Sequence, residues 1–260
     1  VYAVANKGAV QHMTDKLQGG LKDHAIRFDN FLGDIFGLNI TGLKSIWAAI
    51  TAPARYFTAA QSPDWEDSYT PSVRLWFSII AFTFFLRFIW GHDDTAIMQF
   101  MVAQLQQANV SLPEGVTYQM AASSMARWTF AYTPFTYLLC LFLLGIIWPF
   151  WGRKMPLALK ARYVYATVIP STVLGIFTSL GMAWITHEQF VVYSFASMFI
   201  VIVIDSSTAW RGAFTHLGAF SKLWRSILLG LTLAFTYILA SGFAQIAASY
   251  TIRVIYGNGG

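Results

Sequence analysis

Residues 148–162 read WPFWGRKMPLALKAR, and the fold turns on this stretch. An apolar run over residues 128–150 leads into it, and a second over 163–185 leads out. Between them stand Arg153, Lys154, Lys160 and Arg162, with no acidic residue to offset them. A short, purely basic turn between two runs of bilayer length reads as a cytoplasmic hairpin of a membrane protein. Its charge orients every other apolar segment.

The composition agrees. The chain of 260 residues is 56% hydrophobic and 11% charged, against about 25% charged in an ordinary soluble domain. Its mean hydropathy is +0.52. The apolar residues come in continuous runs, which fits helices and not the alternation of a transmembrane β-barrel. The net charge of +5 does not signal nucleic acid. The basic residues flank apolar runs, where orientation explains them, and they form no dense tract. The single cysteine, Cys140, stands inside an apolar run. It leaves no internal disulfide or cysteine metal cluster and reads as a small hydrophobe. No cleavable signal peptide is legible, and the opening on Val1 fits a chain from which earlier sequence is missing.

Working outward, five spans are expected, over residues 73–90, 128–150, 163–185, 190–204 and 227–246. Arg87 falls inside the first. A central arginine costs about 2.5–3.5 kcal/mol on insertion scales, so a place near the end, snorkelling beside Trp90 and Asp93, is expected. Pro134 and Pro170 interrupt spans two and three. Each frees a carbonyl, and Ser171 and Thr172 are candidates to satisfy the one below Pro170. The fourth span has only 15 apolar residues, about 22 Å at the helical rise against a core of about 30 Å. It is expected to extend into Ser206-Ser207-Thr208 or to be shielded by protein.

The flanking segments are amphipathic. In residues 1–39, Val10, Met13 and Leu17, then Ile26 to Phe36, recur at helical spacing among polar residues. Residues 41–61 form a clearer amphipathic helix through Leu43, Ile46, Trp47 and Ile50, kinked at Pro53. Lys44 and Arg55 can reach phosphates while Trp47 and Tyr56 sit at headgroup depth. Asp64, Glu66 and Asp67 form a solvated turn, with Arg74 as a candidate partner. In the outer connection, residues 96–108 and 116–126 read as two short interfacial helices. The expected division is residues 1–72 cytoplasmic and interfacial, 73–250 the membrane domain, and 251–260 an outer tail.

Charge fixes the direction. Of 17 Lys and Arg residues, 14 fall before or at the very start of span one, in the basic turn, or between spans four and five. The positive-inside rule then places the N-terminus inside and the C-terminus outside. The setting is a bacterial inner membrane or an organelle membrane of bacterial descent.

Chemistry is sparse. His92, Asp93 and Asp94 form the one concentrated set of potential metal ligands, best read as a solvated helix end. His12, His24, His92, His187 and His216 all lie outside the apolar runs, which argues against haem or pigment ligation. No phosphate loop, zinc-protease motif or nucleophile elbow is present. No cofactor is expected. Asp205 closes span four and reads as a cap or as the partner of Arg162 or Arg211, with a place on a substrate path as the alternative. Ala240, Ala244 and Ala248, and Ser171 with Gly175, lie in the register that lets helices approach closely.

Two stretches carry a family likeness. Ile50-Thr51-Ala52-Pro53-Ala54-Arg55-Tyr56-Phe57 is a proline-aromatic motif ahead of the first span. Ala161-Arg162-Tyr163-Val164-Tyr165-Ala166-Thr167-Val168-Ile169-Pro170 opens the third. In this order of parts, over about residues 43–250, the chain resembles the Yip1 family of five-span membrane proteins and its bacterial relatives. The resemblance implies a five-helix bundle with a cytoplasmic N-terminus and no catalytic residues. Eukaryotic members of that family work in membrane trafficking with small GTPases. This chain lacks their long hydrophilic N-terminal region, so GTPase binding does not carry over.

The expected function is a non-enzymatic scaffold or accessory subunit that docks to lipids and other integral membrane proteins. A small transporter or channel is the first alternative. A metal-dependent enzyme at the outer face is the second.

Overall fold

The structure is a computed structural model. It describes residues 39–62, 64–90, 96–109, 112, 114–147, 151, 155–182 and 184–257. Among these the regular elements are all helical. They are α1 (Ile40–Thr51), α2 (Pro53–Ala59), α3 (Trp65–Ser68), α4 (Ser72–Trp90), α5 (Ala96–Gln107), α6 (Tyr118–Ile147), α7 (Leu157–Gly181), α8 (His187–Thr208), a π-helical turn (Ala209–Ala213) and α9 (Ala219–Gly257).

Three stretches are long and apolar enough to cross a bilayer: Leu157–Gly181, Glu188–Ala213 and Ala219–Ile255. A shorter apolar helix covers Ser72–Leu86. The described residues are thus all-helical, with three helices suited to crossing a membrane.

Local sequence explains most helix ends. Asn39 accepts the Gly42 N–H at 2.8 Å and caps α1. Pro53 does more than kink the segment after it. Ala52 takes φ −133° and ψ 57°, α1 stops, and Pro53 opens α2 at its first turn. Thr186 and Gln189 form a reciprocal capping box at the start of α8. That helix runs on through Ser206, Ser207 and Thr208 and then into the π turn, which supplies the length its apolar run lacks.

Two expectations need correction. Residues 116–126 do not make a separate interfacial helix, because Tyr118–Ile147 is one continuous element. No turn-forming residue separates the two stretches, and Pro134 is absorbed without a break. The hydroxyls of Ser171 and Thr172 donate to the Val168 carbonyl, at 3.0 and 2.6 Å. They do not reach the Ala166 carbonyl that Pro170 frees.

Helix α7 is the central post. Every residue from Tyr163 to Ser171 is buried. Helices α4, α6 and α8 pack along it, and α1 and α2 cover its first turns. Helix α9 packs mainly on α6 and also on α8. Helix α5 bridges α6 and α8, with Phe100 against Phe190 at 5.0 Å between ring centres. Ala240, Ala244 and Ala248 are fully buried. Their helix meets α6 there, with Thr136 Oγ1 2.9 Å from the Ala240 carbonyl. Gly175 behaves differently, since a Cβ added there would meet nothing within 4 Å. It is therefore not a point of close helix approach, although its spacing suggested one.

Candidate functional site

Two features stand out at the end of the bundle where α4 and α7 begin. One is a strap of α1 and α2 laid across the helix ends. The other is a polar and aromatic cluster beneath it.

The strap is inverted for an amphipathic helix. Helix α1 buries its small residues Gly42, Ser45, Ala48 and Ala49. It exposes Ile40, Leu43, Trp47 and Ile50, with Trp47 69% exposed. Small residues let the helix sit close to α7, so its large apolar side chains face outward. Lys44 and Arg55 are exposed beside them.

Hydrogen bonds to main-chain atoms hold the strap down. Ser45 Oγ accepts the Thr70 N–H at 2.8 Å. Tyr56 donates its hydroxyl to the Thr70 carbonyl at 3.0 Å, and Gln61 Nε2 donates to the Tyr163 hydroxyl. Arg162, expected at the membrane surface, is half-buried and finds partners in the strap. Its Nη1 donates to the Ala60 carbonyl at 3.0 Å, and its guanidinium lies over the Trp65 ring at 5.2 Å. The orphan carbonyls at the end of α2 attract it there. Arg211 does the same for α1, donating from Nη1 to the Ile50 carbonyl at 3.1 Å and from Nη2 to that of Thr51. A cation at a helix C-terminus also meets the favourable end of its dipole. Phe57 packs on Gly212 of the π turn so closely that a Cβ on Gly212 would stand 2.5 Å from its ring.

Burial raises the Tyr56 hydroxyl above its ordinary value of 10.0, because the phenolate would lose its hydration. Below about pH 10 neither folded nor unfolded Tyr56 ionises. Above that, the unfolded chain releases the proton while the folded chain keeps it, so stability falls as pH rises. Tyr56→Phe is expected to flatten that alkaline decline. It also loses about 1 kcal/mol at neutral pH, with the Thr70 bond. Melting temperature in detergent, followed from pH 7 to about pH 11, checks both effects.

Beneath the strap, Trp76 of α4 is fully buried. Its ring lies 5.6 Å from both Tyr137 of α6 and Tyr165 of α7. Tyr137 meets Tyr237 of α9 edge-on at 5.7 Å. Asp205 of α8 is 1% exposed. The Ser171 hydroxyl bonds it, and it interacts electrostatically with Tyr137. Its Oδ1 has no hydrogen-bond partner. Asp205 pairs with neither Arg162 nor Arg211, and both guanidinium groups donate instead to the strap's carbonyls. Asp64, Glu66 and Asp67 are exposed, as expected of a solvated turn.

The remaining expected sites are quickly placed. Lys160 is half-buried. Arg153, Lys154, His92, Asp93 and Asp94, and the segment from Val10 to Phe36, lie outside the described residues, as does the side chain of Arg87. Among the described residues no group of three or more His, Cys, Asp or Glu side chains can hold a metal ion.

Sequence reasoning missed Trp151 and Gly230. Trp151, from the basic turn, is buried and stacks on Phe214 at 5.4 Å. A Cβ on Gly230 would collide with Ser206 Oγ and stand 2.8 Å from the Ile202 carbonyl. The lone glycine in the run ILLGLTLAF was the available signal for that contact. Comparison of the chain with protein families, with curated proteins and with solved structures finds no match.

Proposed function

We propose that the chain is a five-span integral membrane protein that acts by binding, as a scaffold or accessory subunit for other membrane-embedded proteins. The spans are α4, α6, α7, α8 with its π turn, and α9. The basic side faces the cytoplasm, at a bacterial inner membrane or one of bacterial descent, and the C-terminus lies outside. Helix α4 has 19 residues and α6 has 30. Those numbers correspond to about 28 and 45 Å of helix, and so support adding both to the three longer apolar segments. The Yip1-like order of motifs supports the same count.

One observation carries the docking role. The spanning segment Glu188–Ala213 is only 6% buried over its most apolar stretch, whereas the other two are 44% and 39% buried. Val192, Phe195 and Phe199 of α8 are all more than 60% exposed. A helix that gives so little surface to its own chain has a face available to another chain. Native mass measurement in mild detergent tests this reading, and an assembly larger than the monomer is expected. Substituting Leu for Phe195 and Phe199 together should weaken that assembly at least tenfold. A monodisperse monomer with nothing copurifying would overturn it.

A small transporter or channel is the second reading, and the enclosed Asp205 favours it. An ionisable side chain within a spanning helix marks a substrate or ion path more often than a structural contact.

A further inference from the structure

We propose that Asp205 seats a monovalent cation, a proton or a sodium ion, inside the bundle against Ser171 and Tyr137. The inference goes beyond the docking role and holds whether or not a partner covers α8.

The argument starts from charge. A buried carboxylate is retained only when something offsets its lost hydration. Here the side chain is 1% exposed. The titratable side chain that bears on it is Tyr137 of α6, which itself stands beside Tyr165 of α7 and Tyr237 of α9. All three are phenols, and none brings positive charge. The nearest candidates from sequence, Arg162 and Arg211, donate to main-chain carbonyls of the strap. Among the described residues, no lysine, arginine or histidine acts on Asp205.

Hydrogen bonding points the same way. Ser171 has a single hydroxyl proton, which it donates to the Val168 carbonyl at 3.0 Å while it also bears on the Asp205 carboxyl. Asp205 Oδ1 remains without a donor. The cluster is thus short of one positive charge and rich in oxygen lone pairs. A monovalent cation supplies what is lacking. A divalent ion would be left in excess by one charge, and among the described residues no group of three or more His, Cys, Asp or Glu side chains could hold one.

Position sets the site near the end of α8. Asp205 lies one turn before the π turn, and insertions of that kind in helices often mark functional positions. The strap covers this end through Arg211, Gly212 and Phe57.

The test uses the full-length protein in detergent at neutral pH. Infrared difference spectra of wild type and D205N, taken in choline buffer, report whether the carboxyl is protonated. Melting temperature against sodium concentration, with potassium and choline as controls, reports sodium. A carboxylic acid band that disappears in D205N, with no sodium dependence, identifies the proton. A saturable rise of several degrees at about a hundredfold excess of sodium over its dissociation constant, lost in D205N, identifies sodium. Should D205N fail to fold, S171A keeps the test: it shifts the acid band in the first case and weakens the sodium dependence at least threefold in the second. An ionised carboxylate in choline buffer, together with a melting temperature indifferent to sodium, overturns the proposal.

Discussion

Trp76→Ala is expected to destabilise the bundle by about 3–5 kcal/mol, the range for truncating a fully buried aromatic residue. Trp76 is 0% exposed and touches Phe77, Tyr137 and Tyr165. Its removal leaves a cavity where α4, α6 and α7 meet, and α7 is the post on which the other helices lean. Its indole N–H has no partner, so the loss is one of packing and not of a hydrogen bond. Trp76→Phe should therefore recover most of it. Reversible unfolding in mixed detergent micelles measures the difference. A cost below about 1 kcal/mol would show that the cluster is loose, since core truncations of this size cost several times more.

The second large effect is expected at Gly230. Gly230→Ala places a methyl group against Ser206 Oγ and 2.8 Å from the Ile202 carbonyl. Overpacking of this kind costs about 1–3 kcal/mol. The main-chain carbonyl cannot swing aside as a side chain does, so the upper part of that range is expected and α9 must move away from α8. Adding Ser206→Ala removes the hydroxyl conflict and leaves the carbonyl conflict, so rescue should be partial. Full rescue would mean that the helices already separate at Ile202. Gly175→Ala is the control. Open space surrounds that position, and the substitution should be neutral or slightly stabilising through helix propensity.

These cases show what the sequence made legible. Run length and basic flanks are properties of neighbouring residues, so they survive without knowledge of contacts. They announced the apolar helices and the need for α8 to outrun residue 204. Pro53 announced a break for the same local reason. The site was mostly illegible because its parts come together across long stretches of chain. Ser171 and Asp205 belong to different helices, as do Arg211 and the carbonyls of Ile50 and Thr51. The partners of Arg162 were not legible because its neighbours in sequence are basic and apolar, whereas its neighbours in space are the Ala60 carbonyl and the Trp65 ring. Gly175 was misjudged because spacing describes a helix face without saying what stands opposite it.

The grip of Arg211 on the end of α1 has a mechanical side. Helix α1 begins at Ile40, directly after the 39 residues that open the chain. Its far end is clasped by a side chain standing less than two turns from Asp205. A tug on the leading segment would travel along a rigid rod to that clasp and load the end of α8 near Asp205. Whatever takes hold of those first residues thereby acquires leverage on the interior of the bundle.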